Sequence, residues 1–213
     1  MSRGPKDALS DALAAMRVSG TLLLNECYRS PWGLQLPAAE RLAEMFQVPP
    51  ETLVIPFHLV VRGGFDLDLR GDVRSIAAGE VAICFAGGEH TMSEGAPRTV
   101  VSLEDHLAGK SSIAVMNGAT ELVCGVFLLR DTRLNPLYRA LPRLAVVSAS
   151  DRPPSMAAVA QLLVEETRAG GSGSAFMSER IVEMLLAEVV RAQLSAAVAG
   201  EGSWFSAVRD PRI

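Results

Sequence analysis

Between residues 52 and 129 the chain alternates short apolar runs with glycine-rich breaks. The runs are 53–62, 65–69, 73–76, 80–85, 99–101, 113–116 and 121–129. The breaks are Gly63-Gly64, Arg70-Gly71-Asp72, Ala78-Gly79, Gly87-Gly88, Gly95-Ala96-Pro97 and Asn117-Gly118. Runs this short, about ten residues apart with turn residues between them, predict an all-β sandwich or barrel. Another run, 21–28, precedes them and closes at Arg29-Ser30-Pro31-Trp32-Gly33, where Pro31 removes a backbone donor and Gly33 permits a turn. Trp32 at that bend is read as a core or rim anchor. Run 53–61 is apolar at odd and even positions alike, the pattern of a strand covered on both faces.

The period changes at both ends. Leu9, Leu13, Met16 and Val18 predict a short amphipathic helix over 5–18, and 38–47 forms one helical excursion stopped by Pro49-Pro50. After Pro153-Pro154 a helix is expected over 155–168, with Val159, Leu162 and Leu163 inward. Gly170-Gly171-Ser172-Gly173-Ser174 breaks it, and 175–198 carries the longest helical pattern in the chain. There Ile181, Val182, Leu185, Leu186, Val189, Val190 and Leu194 form a sector wider than one sheet face needs. It is expected to meet a second helix or a second subunit as well.

Composition narrows the function classes. The chain has 213 residues, 49% of them hydrophobic, enough for a substantial core. A net charge of −4 with scattered basic residues argues against a nucleic-acid contact surface within this segment. Three cysteines without Cys-x-x-Cys spacing suggest no disulfide framework, so a reducing cytoplasm is the expected setting. No signal-peptide core and no run of roughly 20 apolar residues is present, so no membrane association is expected.

The candidate chemistry gathers around Gly79–His90, an apolar run that breaks at Gly87-Gly88 and delivers His90 just beyond. His58, beside Phe57, lies within run 53–62, and Cys124 within 121–129. Two imidazoles and one thiolate form a zinc-compatible set with room for a fourth group. The other reading of the same residues is hydrogen-bonded core histidines and a small buried thiol, and widely separated ligands carry no local spacing that would favour the metal. Cys27 and Cys84 are read as packing thiols, and His106 as exposed in a loop or short helix. Neither Gly-x-Ser-x-Gly, His-Glu-x-x-His nor a phosphate-binding glycine loop occurs.

Gly79-(five residues)-Phe85-Ala86-Gly87-(two residues)-His90 resembles the second cupin motif, with Phe85 where proline is usual. The first cupin motif carries two histidines one residue apart and then a glutamate; here His58 is followed by Leu59 and Val60. A broader set is similar to the N-terminal cupin domain of AraC-type transcription regulators. It comprises Pro31-Trp32-Gly33, Phe57-His58-Leu59-Val60-Val61-Arg62-Gly63, Ala78-Gly79-Glu80-Val81, Gly88-Glu89-His90, Leu122-Val123-Cys124-Gly125 and Leu141-Pro142. The tail from Trp204 to Ile213 resembles the junction at which such proteins enter a helix-turn-helix domain.

The resemblance implies a mainly β fold with α: a cupin-type sandwich or barrel followed by a C-terminal helical pair. It divides the chain into a sensor domain at 1–150, a helical dimerisation segment at 151–200 and the start of a linker at 201–213. A small-molecule effector, a metal such as zinc, or both would be held in the barrel near Trp32, Phe57, His58, His90 and Cys124. A homodimer would form through 175–198, and DNA would be reached only through a C-terminal domain outside this chain. This implies no enzyme activity. The alternative is a metal-dependent cupin enzyme acting on a small organic substrate with His58 and His90 as ligands.

Overall fold

A computed structural model of the chain describes residues 10–11, 17–49, 51–130, 138, 141–150 and 152–198, the last helix as backbone alone beyond Gln193. Among these residues ten strands make two five-stranded sheets. In chain order the strands are Val18–Tyr28 (β1), Trp32–Leu36 (β2), Leu53–Arg62 (β3), Gly64–Leu69 (β4), Asp72–Ala77 (β5), Val81–Ile83 (β6), His90–Glu94 (β7), Val101–Ser102 (β8), Thr120–Leu129 (β9) and Ala145–Val147 (β10). Helices Ala39–Met45 (α1), Leu103–Leu107 (α2), Pro154–Ala169 (α3) and Ser174–Val198 (α4) complete the framework. One sheet has the order β1-β9-β3-β6-β10 and the other β5-β4-β7-β2-β8, antiparallel except where β2 meets β8.

The first sheet explains the run that is apolar on both of its faces. Side chains alternate across a strand, and here both faces are covered. Ile55, Phe57 and Leu59 of β3 join Val123 and Phe127 of β9 in a core shared with Leu163 of α3 and Ile181, Leu185 and Val189 of α4. Val54 and Val60, on the other parity, join Leu122, Cys124 and Val126 in the core between the sheets. Leu34, Leu36, Leu67 and Met92 of the second sheet close that inner core, all fully buried.

Among the described residues, the wide sector of the last helix packs within the chain. Ile181, Val182, Leu185, Leu186, Val189 and Val190 are all buried against the sheet and α3, which is the expected second helix. Glu188, also buried, accepts hydrogen bonds from the Ser155 hydroxyl and the Arg191 guanidinium, both at 2.7 Å, and so ties the start of α3 to α4. Pro154 at the first turn of α3 has no N–H to leave unsatisfied. No helix among the described residues is long and apolar enough to cross a membrane.

Several local expectations change. Leu9, Leu13 and Met16 lie outside the described residues; Ser10 and Asp11 are helical, and Val18 opens β1 instead of ending a helix. Trp32 begins strand β2 instead of sitting in a bend. Residues 113–116 form only a bridge, Tyr28 to Ala114, with Met116 almost wholly exposed. The strand expected at 99–101 shrinks to β8, because Ser102 caps α2 by accepting from the Asp105 N–H. The side chain of Leu194 and the tail from Trp204 to Ile213 lie outside the described residues.

Candidate functional site

The site is built where β3 passes the turn that follows β6. After Ile83 the chain keeps one further ladder bond, Cys84 N–H to the Pro56 carbonyl at 2.9 Å, before it turns. Gly87 takes a φ of +59°, and a Cβ there would stand 2.7 Å from the Ala39 Cβ, so conformation and space both require glycine. That turn delivers His90 as the first residue of β7, opposite Leu36 of β2. His58, from the inner parity of β3, comes down to meet it.

The two imidazoles are in contact, Nε2 to Nε2 at 2.9 Å, with ring centroids 5.1 Å apart. Both residues are buried. The Gly88 carbonyl lies 2.9 Å from His90 Nδ1, and a carbonyl only accepts, so His90 Nδ1 carries its proton. In a neutral His90 the Nε2 is then the lone-pair acceptor, and His58 Nε2–H is the donor. His58 Nδ1 is left as a bare, buried nitrogen without a hydrogen-bond partner.

Burial sets the charge state of the pair. It holds His58 well below the ordinary histidine value, with the neighbouring His90 adding to the effect, and it lowers His90 as well. From the ordinary value of 6.5 downward, an unfolded chain takes up protons that the folded pair refuses. Stability conferred by the neutral pair is therefore present above about pH 6.5 and lost as the pH falls below it. The denaturant midpoint is expected to be lower at about pH 5.5 than at about pH 7.5. The double variant His58→Leu/His90→Leu should flatten that part of the slope; an unchanged slope would mean other groups produce it.

The thiol that joins the imidazoles is Cys84. One ligand atom from each of His58, Cys84 and His90 falls within 4.8 Å of the others, and all three residues are buried. Burial pushes the Cys84 thiol up to about 12, so it stays protonated in the apolar surround. Cys124, the expected sulfur ligand, lies opposite His58 on β9 and is fully buried in the inner core, but it is not a member of this group. Its own thiol is also pushed up by burial, with Glu26 adding to the effect.

The other expected contact residues part company. Phe57 takes the outer parity and stacks on Phe127, centroids 4.7 Å apart, beneath the helices. Adjacent residues of a strand face opposite ways, so Phe57 lines the side of the sheet away from His58. Trp32 does face the inner core. It stacks on Tyr28 at 4.5 Å and donates its Nε1–H to Glu94 at 3.0 Å. Glu94 also accepts from the Thr120 hydroxyl at 2.6 Å, and this trio sits one strand length along β7 from His90.

His106 differs from the expectation of exposure. It lies on α2 but is buried, with Nε2 2.7 Å from Glu26, whose same oxygen accepts from the Tyr28 hydroxyl at 2.9 Å. Cys27 is half-buried. It lines an open cleft of about 440 Å³ with Asn25, Glu26, Met116, Glu121 and Arg168, outside the histidine cluster.

Two facing sheets with helices packed behind one of them, and a turn that drops a histidine into the interior, define a cupin-type protein. The chain belongs to the cupin family, whose model matches residues 7–195. Among solved structures, a point variant of apo ToxT from Vibrio cholerae aligns over 90% of this chain and 68% of that one. The identity is 7% and the TM-score 0.34, a likeness too slight to bear on function. Comparison with curated protein sequences finds no match. The residues present do not fit the metal set that the cupin motifs carry. Where that set has histidines and a glutamate, the group here has two histidines and a thiol, and no carboxylate joins it among the described residues.

Proposed function

We propose that this chain is the signal-receiving and self-associating part of an AraC-type transcription regulator and is not itself an enzyme. The observation that carries the reading is the two-sidedness of β3. His58 belongs to the histidine cluster inside the barrel, while Phe57 and Leu59, its chain neighbours, pack in the core shared with α3 and α4. A ligand that moves His58 must therefore move the floor on which the helices rest. A signal of this kind requires a ligand that binds two helix arrangements unequally, with a coupling of typically about 1–3 kcal/mol.

The helical pair offers a face for a second copy. Leu162 of α3 and Phe176, Met177 and Met184 of α4 are all exposed, and the Arg180 guanidinium lies 5.5 Å over the Phe176 ring. In this reading residues 1–150 receive the effector, 151–200 dimerise, and 201–213 lead toward a DNA-binding helix-turn-helix domain in the cytoplasm. Sedimentation of the chain should show a dimer that Phe176→Glu/Met184→Glu dissociates without loss of helical circular dichroism. A chain that stays monomeric at every loading concentration would sink the dimer. For the sensing role, a compound or ion found by thermal-shift screening should change amide exchange along α3 and α4. Binding that leaves those amides untouched would remove the signalling role.

A further inference from the structure

We infer that His58, Cys84 and His90 form a site for one monovalent soft metal ion, copper(I), in preference to the divalent ions that a histidine–carboxylate set would take. The first support is geometric. A first-row ion holding imidazole nitrogen at about 2.0 Å and thiolate sulfur at about 2.3 Å needs those atoms roughly 3.3–3.7 Å apart. The two imidazole nitrogens stand at 2.9 Å and the whole set lies within 4.8 Å, so small side-chain rotations complete the triangle.

The second support is orientation. His90 already donates Nδ1–H to the Gly88 carbonyl, the kind of outer contact that fixes a ligating histidine and leaves its other nitrogen free. His58 requires a change of tautomer: its proton moves from Nε2 to Nδ1, where it stands as a buried donor without a partner, a cost that the metal–nitrogen bond at Nε2 must offset.

Charge selects the ion. The Cys84 thiol loses its proton to solvent as the metal–sulfur bond forms, leaving one negative charge in the group. No carboxylate joins the group among the described residues, and Glu94 and Glu26 are engaged by Trp32 and Thr120 and by Tyr28 and His106. With one thiolate, a monovalent ion gives a neutral buried centre and a divalent ion leaves a net positive charge in an apolar interior. Burying an uncompensated charge is strongly unfavourable. Thiolate also favours copper(I) by its softness. The surface is close, since Ala86 and Glu89 on the delivering turn are exposed. As a signal the ion rests on the sensor reading above; as a ligand it is tested on this chain alone.

The test is anaerobic titration of the full chain with copper(I) held by a coloured chelator, beside zinc(II) under a matched competitor. One copper(I) per chain with release of one proton is expected, about 100-fold or more tighter than zinc(II). Cys84→Ala and His90→Ala should each weaken copper binding by more than about 100-fold, beyond the loss from removing an outer-shell partner. Cys124→Ala should retain it. Circular dichroism of the metal-free variants checks that they fold. X-ray absorption of the wild-type copper complex gives a second readout, with one sulfur and two imidazole nitrogens expected. Zinc(II) binding as tight as copper(I), a site without sulfur, or loss with Cys124→Ala but not Cys84→Ala would overturn the assignment. Copper bound without any change in helix amide exchange would leave the site standing and remove only the signalling role.

Discussion

Replacing Phe57 by alanine is expected to cost about 3–5 kcal/mol of folding stability, as truncation of a fully buried aromatic does. The ring has no exposed surface, stacks on Phe127 with an interplanar angle of 27°, and belongs to the core that joins the first sheet to α3 and α4. Its loss opens a cavity under both helices at once, and neither can settle without giving up contacts to the sheet. Denaturant unfolding should show the midpoint falling with the slope retained, and the thermal midpoint dropping on the order of 10 °C for a chain of this size. A loss below about 1 kcal/mol would mean that the ring is not packed as described. Phe57→Leu keeps most of the volume and should cost less, about 1–2 kcal/mol. It is the better variant for asking whether binding at His58 still reaches the helices.

The elements that were legible in the sequence are those whose pattern is set by burial of one long face. The helices expected over 155–168 and 175–198 appear as Pro154–Ala169 and Ser174–Val198, because proline, the glycine break and the apolar period all point the same way. Run 53–61 announced burial on both faces, and β3 has an inner and an outer core to itself. By contrast the sequence of β7, His-Thr-Met-Ser-Glu, carries no strand signal, although the strand holds His90. Its outward Thr91 and Ser93 are polar, and Met92 is the only apolar side chain it sends inward. The ladder to β2 and β4 on either side makes it a strand, and those pairings are non-local.

The same limit explains the thiol. In a segment buried on both faces, alternation gives no direction, so Val81–Phe85 did not reveal that Cys84 faces inward while Ile83 and Phe85 face the helices. His106 follows two acidic residues, a pattern that locally signals a solvated position. Its partner, Glu26, lies 80 residues earlier in the chain. The sequence places His90 at a strand end and His58 inside a strand, positions from which the two can meet. Which sulfur joined them was a matter of facing, which needs three dimensions.

Gly125→Val is expected to be as damaging as Phe57→Ala, and the reason links the two positions. Gly125 stands opposite Phe57 on β3 and opposite Leu22 on β1. A Cβ at this position would meet the Thr21 carbonyl oxygen on one side and the Phe57 ring, at 2.7 and 2.8 Å, on the other. The flat lie of Phe57 across the sheet therefore depends on the missing side chain, which gives the glycine after Cys124 a packing role. Overpacking a close-packed core costs typically about 1–3 kcal/mol. Here the backbone oxygen of β1 cannot rotate away, so the upper end or beyond is expected, about 3 kcal/mol or more. Adding Phe57→Leu removes the ring contact but not the carbonyl contact. The double variant Gly125→Val/Phe57→Leu should therefore be more stable than the sum of the two single losses predicts, by about 1 kcal/mol, while remaining well below wild type. Strict additivity in that cycle would show that the ring and the glycine do not touch, and the outer core would then be organised around some other contact of Phe57.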